Sequence, residues 1–186
     1  MLHVIKPIET EYMGYKFRSR LEARWAVFFH HAEIPFLYEP EGYELKGGTK
    51  YLPDFYLPKM ELFAEVKATK PTDGEQQKLR LLVESTGKRG TFLGVIPPHN
   101  SIYYPFEGWE VFIPGYYGGG WDNGYYFCVC PLCGQAGFEF NGRSDRIECG
   151  CERPPDADKG CNADLAKLIN AYDAARKARF EHGSRG

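Results

Sequence analysis

The first 127 residues contain no cysteine, and apolar runs are short throughout: Trp25–Phe29 extends five residues, where a helix that spans a bilayer needs about 20. The opening segment, MLHVIKPIETEY, has no apolar stretch of the signal-peptide kind, so export is not expected. Neither sign of charge dominates. Lys and Arg number 23 against 25 Asp and Glu, a net charge of −2. That excludes a protein held on nucleic acid by bulk charge, and leaves room for a local basic patch. There is no internal repeat. With 43% hydrophobic and 26% charged residues, the chain does not have a disordered composition. Its 186 residues are enough for one ordinary domain, or for one domain with a small appendage. Folding at that length hides roughly 70% of the unfolded surface, so a core forms without covalent staples. The six cysteines, without an export signal, point to a reducing cytoplasmic setting and to metal binding rather than disulfides.

Composition changes near residue 114. The stretch from Gly115 to Gly124 is crowded with Gly and Tyr and cannot hold one regular element. It divides a larger domain, residues 1–114, from a cysteine-rich module with a terminal helix, residues 125–186. In the first domain, Leu21, Trp25, Phe28, Phe29 and Ala32 recur at helical spacing. They predict a helix over Ser19–Glu33, with Ser19 as N-cap and Pro35 as its stop. Strands follow at Phe36–Leu45, broken at Pro40, at Tyr51–Leu57 and at Glu61–Ala68. Thr72 and Glu75 form a capping box that opens a second helix. Leu79, Leu82 and Val83 are its buried face and Gly87 its C-terminal residue. Thr91–Ile96 and Trp109–Ile113 read as further strands. The whole suggests a mostly antiparallel meander with a crossover helix, an α/β sandwich.

Chemistry concentrates in Pro53-Asp54, followed ten residues later by Glu65-Val66-Lys67. Residues two apart on a strand share a face, so Glu65 and Lys67 project together while Ala64 and Val66 face a core. A two-residue connection at Lys59-Met60 pairs Pro58 with Glu61, Tyr56 with Phe63 and Asp54 with Glu65. Paired residues hold their Cβ atoms about 4.5–5.5 Å apart, and any even loop length keeps Asp54 and Glu65 on one face. Two opposed carboxylates repel. A divalent cation relieves that repulsion, and Mg²⁺ favours one or two carboxylates with water and phosphate oxygens as its other ligands. Such an ion activates water and neutralises charge on a phosphate. Lys67 can stabilise that charge or help take the water's proton. The bland alternative is the solvated face of a sheet.

Phe17-Arg-Ser-Arg-Leu-Glu22-Ala-Arg-Trp-Ala26, Tyr51-Leu-Pro-Asp54-Phe and Ala64-Glu65-Val-Lys67 together resemble the PD-(D/E)XK phosphodiesterase superfamily. The likeness is strongest to its short members from bacteriophages and mobile elements, and it covers about residues 12–97. It implies a restriction-endonuclease-like core: a helix, an antiparallel three-stranded hairpin sheet, a helix and a strand. By the same resemblance, Asp54 and Glu65 are metal-binding acids and Lys67 is the catalytic lysine. Glu22 on the first helix completes the metal shell, and the carbonyl of Val66 adds a ligand. Gln77 falls where some members carry a helper residue, with Gln76 and Lys78 as equal alternatives. Glu22 also has a plain reading, an i,i+4 ion pair with Arg18. Arg18, Arg20 and Arg24 suit phosphate contact or an ordinary solvated face equally well.

In the second part, Cys130-Pro-Leu-Cys133-Gly is a metal knuckle. Cys149-Gly-Cys151 follows after a strand-like stretch, 137–148, in zinc-ribbon spacing. Cys130, Cys133, Cys149 and Cys151 are the expected zinc ligands of a closed structural site, with Cys128 and Cys161 as spares. Metal binding would supply much of this module's folding energy. A last helix over Asn162–Phe180 has Leu165, Leu168, Ile169, Tyr172 and Ala175 on one face and a basic end at Arg176, Lys177 and Arg179, which suits the helix dipole. The tyrosines and Trp121 near the linker suit interdomain packing better than base stacking.

The expectation is therefore a Mg²⁺- or Mn²⁺-dependent deoxyribonuclease, an endonuclease that leaves 5′-phosphate and 3′-hydroxyl ends. It would act in the cytoplasm, in a bacterial host cell if phage-encoded. DNA is the expected partner, no membrane is, and a homodimer or a protein partner is left open. The competing expectation is a non-catalytic DNA-binding or adaptor protein, or a subunit of a transposition or packaging machine.

Overall fold

A computed structural model describes residues 7–96, 125–140, 151–152 and 166–180. The expected strand Trp109–Ile113 falls outside them. The protein is mixed α/β. The described elements are β1 (Thr10–Tyr12), β2 (Tyr15–Phe17), α1 (Arg20–His31), β3 (Leu37–Tyr38), β4 (Tyr43–Leu45), β5 (Thr49–Tyr51), β6 (Phe55–Leu57), a 3-10 turn (Pro58–Met60), β7 (Leu62–Val66), α2 (Asp73–Thr86), β8 (Arg89–Leu93), β9 (Tyr125–Val129), β10 (Ala136–Phe140) and α3 (Ala166–Lys177).

The main sheet has the order β3-β6-β7-β8. β6 runs antiparallel to both β3 and β7, and β8 returns parallel to β7 after the α2 crossover. Its two faces are covered differently. Leu57, Leu62, Ala64, Val66 and Leu93 join the cluster built around α1, while Phe63 and Phe92 join Leu79, Leu82 and Val83 of α2. The period-2 alternation along β7 produces this division. α2 sits close on its side. A Cβ at Gly90 would lie 2.7 Å from Val83 Cγ2 and 2.9 Å from Leu79 Cδ1, so only glycine admits the helix there.

Three expected strands take different forms. Phe36–Leu45 is two short strands in separate sheets, β3 on the main sheet and β4 paired with β5. Glu39 turns into the left-handed region at φ 45°, and Pro40 has no N–H for a ladder. Tyr51–Leu57 is likewise divided at Pro53, into β5 and β6. Thr91–Ile96 begins earlier and ends earlier, as Arg89–Leu93. The hairpin turn also differs. The ladder ends at Leu57↔Leu62, so Pro58 and Glu61 are not strand partners. They flank a 3-10 turn instead, with the Glu61 N–H bonded to the Pro58 carbonyl at 3.2 Å. Lys-Met has neither residue that a tight two-residue hairpin favours, and the four-residue connection is still even. Tyr56 therefore pairs with Phe63, as the sequence predicts.

α1 follows its apolar stripe. Trp25, Phe28, Phe29 and Ala32 are fully buried, each large ring worth roughly 1.5–3 kcal/mol of burial. Trp25 Nε1 donates to the Gly94 carbonyl at 2.7 Å, which satisfies its one polar atom. The described parts of residues 125–186 pack on the same helix. The Phe127 ring lies 5.0 Å from that of Phe28 and 4.9 Å from that of Phe138, and the ring of Tyr172 stacks on Phe28 at 4.3 Å. Leu168, Ala171, Tyr172 and Ala175 are the buried face of α3. Leu165 and residues 162–164 fall outside the described set.

Candidate active site and cysteine cluster

The carboxylates of the Pro53–Lys67 segment meet where β6 and β7 leave their ladder. Register alone carries Asp54 opposite Glu65, and each side chain accepts a backbone N–H from the other's strand segment. The Asp54 N–H donates to Glu65 Oε1 at 3.1 Å, and Val66 N–H donates to Asp54 Oδ2 at 2.8 Å. Pro53 prepares this arrangement by ending β5 and freeing Asp54 from strand pairing. Both acids are buried, at 5% and 4% exposure. Lys67 lies along the same face, with Nζ 3.6 Å from Glu65 Oε2 and 2.9 Å from Glu75 Oε1.

Glu22 reaches the cluster from the first turn of α1 and is also buried. Three donors fix it: Ser19 Oγ to Oε1 at 2.7 Å, Tyr38 Oη to Oε2 at 2.6 Å, and the Arg18 N–H to Oε2 at 3.1 Å. Ser19 Oγ in turn accepts from the Glu22 N–H at 3.2 Å. Ser19-x-x-Glu22 carries the capping-box spacing, a signature that sequence reasoning passed over, but the Glu22 carboxylate takes the Ser19 hydroxyl and the Arg18 N–H, so the Ser19 half of the box is the part that forms. The i,i+4 ion pair with Arg18 is not how the two residues meet. Arg18 gives Glu22 its backbone N–H, while its guanidinium pairs with Asp54 and, through Nε at 2.7 Å, with Glu39.

Three further residues complete the cluster: Tyr38 and Tyr51 carried no local signal, and Glu75 was legible only as a helix cap. Tyr38 and Tyr51 donate hydroxyls to Glu22 and Glu65. Glu75, the N3 residue of the α2 capping box, uses Oε2 for Thr72 and Oε1 for Lys67. Glu75, rather than Gln77, Gln76 or Lys78, is thus the α2 side chain paired with Lys67. Gln77 and Lys78 are exposed, and Gln76 donates to the Pro71 carbonyl at 3.2 Å.

The electrostatics follow from crowding. Burial pushes the Asp54 carboxyl up to about 8, helped by the charges of Glu65 and Glu22 and opposed by the Val66 N–H and Arg18. Burial likewise raises Glu65, against Lys67, Tyr51 and the Asp54 N–H. Burial works to lower Lys67, but the Glu75 bond and the Glu65 charge outweigh it and hold the amine above its ordinary value. Lys67 is therefore a fixed cation, suited to stabilising negative charge rather than to accepting a proton. Around it five carboxylates (Glu22, Glu39, Asp54, Glu65, Glu75) meet two cations (Arg18, Lys67). Hard oxygen donors of this kind are what Mg²⁺ or Mn²⁺ takes, one or two carboxylates at a time; among the described residues, three ligand atoms converge within 4.8 Å of one another at the cysteine cluster and not among these acids.

At the end of β9, Cys130, Cys133 and Cys151 bring their sulfurs within 4.8 Å of one another, and those of Cys130 and Cys151 are 3.8 Å apart. Gly134, at φ 71°, makes the turn. Its N–H bonds the Cys130 carbonyl at 2.9 Å, and the Cys130 N–H bonds the Gln135 carbonyl at 2.8 Å. Three sulfurs so placed could hold a metal ion such as zinc, whose structural sites take four ligands. Cys149, expected as a fourth, and Cys161, its alternate, lie outside the described residues. Cys128 is buried one strand step away and directs its sulfur to the Gly137 carbonyl at 3.9 Å.

No protein-family model matches the chain, and no curated protein matches it.

Proposed function

We propose that this protein is a metal-dependent nuclease that hydrolyses DNA phosphodiester bonds, an endonuclease with a restriction-endonuclease-like core and a zinc-ribbon module. The observation that carries this reading is the meeting of three buried carboxylates from α1, the β6 entry and β7 with one amine held as a cation. Arg18 and Lys67 offset only part of the repulsion between Asp54 and Glu65, since both carboxyls stay raised. Like charges so placed cost stability unless a cation sits among them.

Asp54, Glu65 and Glu22, with the Val66 carbonyl, are the residues that would hold Mg²⁺ or Mn²⁺. When bound, the ion supplies a water of lowered pKa and neutralises charge on the phosphate. The chain's own groups do the rest. Lys67 places a positive charge where the pentacovalent phosphate gathers negative charge, and Glu75 holds that amine in position. Tyr38 and Ser19 hold the Glu22 carboxylate, and Tyr51 that of Glu65, so the ligands are set before substrate arrives. Cys130, Cys133 and Cys151, with Cys149, would hold zinc as a structural site that fastens the β9–β10 hairpin.

The test is cleavage of plasmid and single-stranded DNA with Mg²⁺, Mn²⁺ or chelator. Lys67→Ala should reduce cleavage by at least about 100-fold, as loss of a charge-stabilising group does. Cleavage that survives this substitution unchanged removes the site from the chemistry. Binding to DNA without cut products, insensitive to chelator, favours the adaptor reading instead.

A further inference from the structure

Arg18 holds an unusual position for a residue beside a metal-type acid cluster. Its side chain is about half exposed, at 54%, yet it reaches the side chains of Asp54, 7% exposed, and Glu39, 28% exposed. Asp54 Oδ2 already accepts the Val66 N–H. The guanidinium sits on the other, Oδ1. Glu39 is fixed independently. It adopts a left-handed backbone, which costs a residue with a Cβ, and its N–H bonds the Asp54 carbonyl at 2.9 Å. The two acceptors are thus tied to each other through the backbone, and Arg18 spans them.

We infer that Arg18 is an internal counter-cation that occupies the Asp54 oxygen until a divalent ion takes it, and that the released guanidinium, still anchored through Nε to Glu39, then grips a non-bridging oxygen of the nucleic-acid phosphate backbone. This rests on the nuclease reading above. The physical argument is competition for one oxygen. A dication and a guanidinium on the same atom repel each other, and the exposed, single-residue partner is the one free to move. Guanidinium has five donors in a planar fork. With Nε on Glu39, its two amino groups remain for a phosphate, the group this fork fits best. The exchange keeps Asp54 neutralised before metal arrives and delivers a positive charge to the substrate afterwards. Arg18 is then a phosphate-binding residue, and Glu39 a positioning residue that acts through it.

The experiment uses the full chain, prepared in zinc-containing buffer so that thiolates do not compete, at pH 8 and low salt. Free Mn²⁺ is followed by electron paramagnetic resonance during titration. Binding of a fluorescent DNA duplex is measured separately with Ca²⁺ present. Asp54→Asn should abolish the tight Mn²⁺ site, and if Mn²⁺ binds that variant as it binds the parent, the nuclease reading itself fails. Given that loss, Arg18→Gln should move the two affinities in opposite directions: Mn²⁺ about threefold tighter and the duplex about threefold weaker, the size of one partly exposed charge contact. A purely structural arginine would weaken both. Mn²⁺ binding that is unchanged or weaker in Arg18→Gln, or duplex binding that is unchanged, overturns the inference while leaving the metal site in place.

Discussion

Asp54 is where burial and charge conflict most. Its carboxyl is raised from 3.8 to about 8 by burial and by Glu65, so between those values the folded protein holds a proton that the unfolded chain has released. Proton uptake on folding makes stability fall as pH rises through that window. Glu75 does not offset the trend. Burial opposes its ionisation, but the Thr72 N–H and Lys67 win and take it down to about 2, so its contribution is complete above about pH 4.5 and is lost only as pH falls toward 2. The metal-free protein should therefore melt at lower temperature at pH 8 than at pH 5, and Mn²⁺ should raise the melting temperature more at pH 8. Calorimetry across that range decides it, and a melting temperature that climbs from pH 5 to 8 without metal would show that Asp54 is not raised. Asp54, Glu65 and Lys67 were legible in the sequence because alternation and an even loop fix which face each residue takes. The pairing of Arg18 with Asp54 and Glu39 and the contacts of Tyr38 and Tyr51 were not, because they depend on how β3 and β5 lie against β6 and α1, which no local spacing encodes.

Among the elements, α1 does two jobs with one capping motif. Ser19 satisfies the helix start and fixes the Glu22 carboxylate. Ser19→Ala should cost about 1 kcal/mol, lowering the melting temperature by about 2–4 °C in a chain of this size. Because the same hydroxyl orients Glu22, metal affinity should fall with it. A stability loss with unchanged metal affinity would mean that Glu22 is a capping residue and no more. Helix positions were easy to read, since the stripe of Trp25, Phe28 and Phe29 and the Thr72–Glu75 box are local signals. Strands were harder. Phe36–Leu45 and Tyr51–Leu57 each read as one strand by composition, yet Glu39-Pro40 and Pro53 divide them, and only the pairing partners reveal that β3 and β4 belong to different sheets.

Across the molecule, the cysteine knuckle and the carboxylate cluster are joined through α1. Phe127 and Phe138 pack beside Trp25, Phe28 and Phe29, Arg89 donates to the Phe138 and Met60 carbonyls, and Lys167 bridges Glu33 at the end of α1 to the Gly134 carbonyl of the knuckle. Loss of a thiolate should therefore be felt at Glu22, at the other end of the helix. Cys133→Ser is expected to lower the melting temperature by several degrees, at about 2–4 °C for each kcal/mol lost, and to reduce cleavage as well. A Cys133→Ser variant that keeps full stability and activity would show the knuckle to be an independent appendage. The sequence marked the cysteines clearly by spacing, but it did not show that their hairpin shares a core with the first helix, since that contact spans about a hundred residues.

The decisive experiment is an anomalous diffraction map of crystals soaked in Mn²⁺, compared with Asp54→Asn crystals treated identically. If the buried acids form a metal site, the parent will show a peak about 2.1 Å from carboxylate oxygens of Asp54 and Glu65, with Lys67 beside it, and the variant will show none there. A clean map with no Mn²⁺ among Glu22, Asp54 and Glu65 would contradict it.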